Sequence, residues 1–161
     1  MNVEYDLVFD VQTASMLRSW PAVVIPLVIL VVSAGVLAAS GRLSKASEYR
    51  WWQLGFAIAP PLMLSVVTGG SIYLEHRRYV SAYREGRTEY VEGVVEHFVP
   101  MPEDGHDNES FEVAGHRFEY AESHLTAGYN TTCGNGGPIG DGRRVRIWHV
   151  ANTILRLELE R

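Results

Sequence analysis

Hydrophobic and polar residues follow three rhythms along this chain. Val3, Tyr5, Leu7, Phe9 and Val11 alternate with Asn2, Glu4, Asp6, Val8 and Asp10, a period of two that predicts a strand over residues 3–11. Trp20–Ser40 and Trp51–Leu74 then run 21 and 24 residues without a charged side chain. At 1.5 Å per residue either reaches across a hydrocarbon core of roughly 30 Å, so two membrane-spanning helices are expected. From residue 90 the period returns to two. Val91, Gly93, Val95, His97 and Val99 alternate with Glu92, Val94, Glu96 and Phe98, until Pro100 and Pro102 end the run.

Four further strands come after it, over residues 110–113, 116–121, 143–150 and 153–160. Ala114-Gly115 links the first pair and Ala151-Asn152 the second, both short connections suited to hairpins. The alternation predicts a core of Val91, Val95, Val99, Phe111, Val113, Phe118, Tyr120, Val145, Ile147, Leu155, Leu157 and Leu159. A few short strands with one wet face leave open edges, and curling into a small barrel removes them. The expected fold is therefore an α+β membrane protein, a transmembrane helical hairpin followed by a five- to six-stranded antiparallel β-barrel of the OB or SH3-like kind. Residues 1–14 form a strand packed on the barrel, 15–43 the first span and 44–50 a loop. The second span covers 51–77, kinked at Pro60-Pro61, a stalk covers 78–89 and the barrel 90–161.

Composition sharpens this picture in two places. A mean hydropathy near zero averages two apolar segments with a polar remainder. The net charge of −5 lies in residues 78–161, where nine basic residues face fourteen acidic ones, against five of each in residues 1–77. An acidic domain without a basic face is a poor match for nucleic acid, so none is expected as a partner. Arg18, Arg77, Arg78, Arg84 and Arg87 flank the spans on the side of the termini, against Arg42, Lys45 and Arg50 in the loop, which favours cytoplasmic termini and barrel. The lone Cys133 rules out an intramolecular disulfide.

Candidate chemistry is sparse. Residues 126–142 carry six glycines in seventeen positions between the third and fourth barrel strands, with no Gly-Lys-Ser/Thr and no lysine in the domain, so a phosphate cradle is not expected. Tyr129, Asn130, Gly136, Gly137 and Ile139 from this loop, together with Trp148, form the candidate contact surface for a partner or ligand. Tyr129 and Ile139 are the loop's apolar members and are expected to pack down. His97, His116, His124, His149 and Cys133 lack the close pairing of zinc ligands, and the acidic stretch 103–109 lacks calcium-loop spacing. No metal, cofactor or catalytic residue is expected; the histidines read as neutral rings capping the core.

Glu92-Gly-Val-Val95, Phe111-Glu-Val-Ala-Gly-His-Arg-Phe118, Gly142-Arg-Arg-Val-Arg-Ile147 and Ile154-Leu-Arg-Leu157, preceded by two spans, resemble bacterial two-span membrane proteins of unknown function with a small C-terminal β-barrel. They are also loosely similar to membrane-anchored OB domains of the NfeD type. The glycine-rich insertion departs from both. What the resemblance implies is fold and anchoring in the bacterial inner membrane, with the lipid bilayer as one partner. The expected function is a membrane-anchored, non-catalytic interaction or scaffold module with a protein partner in a membrane complex, homo-oligomerisation being compatible with it. The alternative is a membrane-anchored sensor whose barrel binds a small ligand such as a nucleotide.

Overall fold

The computed structural model describes residues 4–14, 20–39, 49–102, 107–124 and 126–161, with α-helical side chains described at 24–35, at 55 and from 58 onward. The elements run β1 (Tyr5–Asp10), α1 (Trp20–Ala39), α2 (Tyr49–Arg84), β2 (Glu89–Val99), β3 (Glu109–Val113), β4 (His116–Tyr120), β5 (Arg144–Val150) and β6 (Thr153–Glu160). They fall into two compact units, one of residues 16–74 and one joining residues 1–15 to 75–161.

The first unit holds α1 and most of α2. No helix among the described residues is long and apolar enough to cross a membrane. This corrects the expected two-span hairpin and, with it, the membrane anchoring and the multi-pass inner-membrane localisation. The connecting segment 40–48 lies outside the described residues. Helix α2 continues through Pro60 and Pro61, and four residues later the Ser65 hydroxyl donates to the Pro61 carbonyl at 2.9 Å.

The second unit begins within α2. Residues 78–84, read as part of a stalk, are helical and pack on β6: the Tyr79 hydroxyl lies 3.2 Å from Thr153 Oγ1, Arg156 Nη1 donates to the Tyr83 hydroxyl at 3.0 Å, and Ala82 is buried. The helix ends in a Schellman turn, with the Arg87 and Gly86 amides donating to the carbonyls of Ala82 and Tyr83. Gly86 supplies the positive φ of 69° that this turn requires.

The six strands form one antiparallel sheet in the order β1-β6-β5-β2-β3-β4. Among the described residues the sheet does not close, which corrects the barrel expectation and removes the structural basis of the resemblance to barrel-bearing two-span proteins. The physical reason is in the two edges. The alternating N-terminal run becomes β1 and covers β6, while Arg161 pairs with Glu4 and Asp6 along that edge. Edge strand β4 carries the exposed Arg117–Glu119 pair. Charged edges resist further pairing without closure. Strand β2 is shared by the two halves of the sheet, with residues 89–94 on β5 and 95–99 on β3.

Two irregularities change which side chains face inward. His97 sits at φ 52°, and the β2–β3 register shifts between Glu96 and Val99. Asp141 Oδ1 accepts the Phe98 amide at 3.0 Å. One extra residue reverses the parity of the strand beyond it. Val99, expected in the core, is therefore 55% exposed, and Phe98 packs against the core instead. A second shift, between Trp148 and His149, brings Ile154 into the cluster with Leu157 and Leu159. Val95, Phe111, Val113, Phe118, Tyr120, Val145, Ile147 and Leu155 are buried, and Val91 is partly so.

Candidate functional site

The glycine-rich segment 126–142 folds down on the sheet. The Tyr129 amide donates to the Ile154 carbonyl at 2.9 Å, and at the far end the Gly142 amide and the Arg143 carbonyl pair with Val95. Tyr129, Asn130 and Ile139 are buried, and Tyr129 packs edge-on against Phe9 and Tyr120. Asn130 Nδ2 donates to the His124 carbonyl at 3.1 Å. Gly136 is exposed at φ 87° after a 3-10 turn over Cys133–Asn135. Gly137 is pressed against the loop's own backbone, where a Cβ would meet the carbonyl oxygens of Thr131 and Thr132 at 2.3 and 2.8 Å.

Beneath this loop lies a group that the pattern of residues did not single out. Glu109, at the end of the acidic stretch 103–109, is the first residue of β3 and is 0% exposed. Its carboxyl accepts the Tyr120 hydroxyl and, at 2.9 Å, the Cys133 amide. Burial and this bond push the Tyr120 phenol up. A hydrogen bond to Glu109, with burial, likewise raises the Cys133 thiol, which keeps it protonated and a weak nucleophile. Glu122 Oε1 accepts the Thr132 hydroxyl at 3.1 Å. These bonds hold the loop to the sheet.

The opposite face of β2, β5, β6 and β1 carries three cross-strand rows. Tyr90, Trp148, Arg156 and Asp10 form one; Glu92, Arg146, Glu158 and Leu7 the next; at the end stand Val94, Arg144, Glu160 and Tyr5. Tyr90 and Trp148 pack with ring centroids 5.0 Å apart, Arg156 lies over Trp148 at 5.2 Å and Arg146 over Tyr5 at 3.8 Å. Glu92 joins the rows, accepting from Arg146 Nε at 3.0 Å, from the Tyr5 hydroxyl at 2.9 Å and from the Tyr90 hydroxyl. Arg156 donates to Glu158 Oε1 through Nε at 2.9 Å and Nη2 at 2.5 Å. Around this fixed lattice Leu7 and Tyr90 are 53% and 50% exposed, Val94 is exposed and Trp148 half-buried.

The donors on Glu92, first Tyr90, then Arg146 and Tyr5, hold its carboxyl down at about 2. Burial and the bond to Glu92 push the Tyr90 phenol up to about 12. A phenol raised in the folded state stabilises it fully below the unfolded value of about 10 and loses that contribution as the pH climbs towards 12. For Glu92 the contribution is present above the unfolded 4.5 and is lost as the pH falls towards 2. The ultraviolet phenolate titration of the wild type minus that of Tyr90→Phe will show one group ionising near 12, and Glu92→Gln will bring it down towards 10. A Tyr90 that titrates at the ordinary value in both backgrounds would dissolve the lattice.

His97 is exposed and pairs with Glu112 Oε2 at 3.1 Å, His124 is exposed in the loop region, and the half-buried His116 sets its ring against that of the buried His149. Among the described residues no group of three or more His, Cys, Asp or Glu side chains is placed to hold a metal ion. The acidic stretch lies partly outside the described residues, at 103–106. Of the six candidate contact residues, only Trp148 stands on the patterned outer face; Tyr129, Asn130 and Ile139 are turned inward, and Gly136 and Gly137 shape the loop. Tyr5, Leu7, Tyr90 and Arg146 were missed, although the period-two parity already set Tyr90, Glu92 and Val94 on the face opposite the core. Comparison with family models, curated proteins and solved structures finds no match to this chain.

Proposed function

We propose that the chain is a non-catalytic protein-interaction module whose contact surface is the outer face of β1, β6, β5 and β2. The observation that carries this reading is the set of exposed or half-exposed Tyr90, Trp148, Leu7 and Val94 held around Glu92 and the arginines. Tyrosine, tryptophan and arginine are the side chains that concentrate binding energy at protein interfaces. Their fixation by cross-strand bonds lowers the ordering cost of association. Trp148 is common to this surface and to the candidate residues of the sequence. The raised Cys133 thiol and the fully engaged Glu109 speak for structural roles on the other side of the sheet.

The test places a photo-crosslinking residue at Tyr90, at Trp148 and, as a control, at the exposed Arg117 on β4, each in the full chain expressed in its own cells. One protein is expected to crosslink from positions 90 and 148 but not 117, and Leu7→Arg is expected to abolish the adduct. Equal capture from position 117, or none from the outer face, would remove this surface as the site.

A further inference from the structure

His149 and His116 form a contact that the interaction surface does not use. His149 lies on β5 and turns into the core, 2% exposed. His116 opens β4 and sets its ring 4.3 Å from that of His149 and 4.6 Å from Phe118, while Phe118 meets His149 edge-on at 5.1 Å. Strands β4 and β5 are not neighbours in the sheet, since β2 and β3 stand between them. The rings therefore bind the β3–β4 hairpin to the β5–β6 hairpin through side chains, across the fold of an open sheet.

The hydrogen bonding fixes the tautomer of the neutral His149 ring. A carbonyl only accepts, so His149 Nδ1, 2.7 Å from the Ala151 carbonyl, carries the proton and leaves Nε2 bare in the neutral ring. His116 Nε2 is buried with no hydrogen-bond partner. From β2, Glu89 stands opposite His149 in the ladder and favours its charge, as does the Ala151 carbonyl from the β5–β6 turn. From β4, His116 opposes it; the facing residues of β3 and β6, Val113 and Ile154, are apolar.

We propose that the His116–His149 ring contact is an acid-sensitive latch, and that protonating it in mildly acidic solution releases the β3–β4 hairpin from β5–β6. A cation on the buried His149 sits beside a second imidazole, and the opened state restores its hydration. Burial, foremost, and His116 hold His149 below its ordinary 6.5. A histidine depressed in the closed state stabilises that state fully above 6.5, and this is lost as the pH falls through that value towards the closed-state pKa. Each unit between closed and open pKa values multiplies the opening constant by about ten on acidification.

The experiment tracks histidine ring resonances and amide hydrogen exchange in the full chain between pH 7.5 and 5. His149 is expected to titrate below the free value, with exchange of the Phe111 and Phe118 amides accelerating in the same range after correction for intrinsic rates, and with β1–β6 amides unchanged. His149→Gln, which keeps a donor for Ala151 and has no charge to gain, is expected to abolish that acceleration, while His97→Gln and His124→Gln preserve it. Ordinary titration of His149 with unaltered hairpin protection overturns the latch. So does a pH response that disappears with His97→Gln or His124→Gln, and the wild-type titration decides the matter even where His149→Gln fails to fold.

Discussion

Replacing Glu109 by alanine is expected to cost about 3–5 kcal/mol, because it strips the Tyr120 hydroxyl and the Cys133 amide of their acceptor and leaves a void in a closed core. In a domain of this size each kcal/mol lowers the melting temperature by roughly 4–8 °C, so the transition will fall by well over 10 °C in thermal unfolding followed by near-ultraviolet circular dichroism. The size of the effect comes from the donors left behind more than from the lost carboxyl. Glu109→Ala combined with Tyr120→Phe removes one of them and is expected to be less destabilising than the sum of the single changes, with a coupling of about 0.5–3 kcal/mol. Glu122→Ala is the comparison: its bonds to Thr132 are 3.1 and 3.4 Å at a half-exposed site, and a loss of about 1 kcal/mol is expected. Equal losses at Glu109 and Glu122 would show that burial does not set the cost.

Gly137→Ala carries the second large effect. Its Cβ would lie 2.3 Å from the Thr131 oxygen and 2.9 Å from the Thr132 carbonyl carbon, both backbone atoms that no rotamer change can move. The loop must shift, and the Gly137 amide bond to the Thr132 carbonyl, 2.8 Å, weakens with it. A destabilisation of about 2–3 kcal/mol is expected by chemical denaturation. Gly134→Ala, three residues away with nothing within 4 Å of its Cβ position, is expected to stay within about 0.5 kcal/mol of the wild type. The pair separates the requirement for glycine at one position from the glycine richness of the whole stretch; a tolerant Gly137 would mean that the loop is loosely held.

These two residues also show where the sequence was readable. Alternation marks the strands well, because one buried face demands an apolar residue at every second position, and the hairpins at Ala114-Gly115 and Ala151-Asn152 follow from it. Val99 was misplaced because a bulge adds one residue without altering composition, and nothing in Glu96-His-Phe-Val99 announces that His97 takes φ 52°. Closure of the sheet failed as an inference because ion pairs and a sixth strand manage the edges equally well. Glu109 was hidden by its company: five of the seven residues from 103 to 109 are acidic or histidine, so it reads as part of a solvated run. Its burial is decided by Tyr120 and Cys133, eleven and twenty-four positions away. The outer face was half visible, since parity gives its members but not the lattice that ties Tyr5 to Glu92 across 87 positions.

The pairing of β1 with β6 sets an order of events for a chain that is synthesised from one end. Tyr5 lies opposite Glu160, 155 positions away, so β1 leaves the ribosome long before its partner exists. At about 5–20 residues per second that delay is roughly 8–30 s, far longer than either hairpin needs to close. During the interval β2 through β5 are available in chain order, and β1 has no ladder to join. Its alternation of charged and apolar residues keeps it soluble while it waits, and the Asp6–Arg161 bridge engages only once synthesis has passed the final strand. The first strand of this sheet is therefore the last to dock.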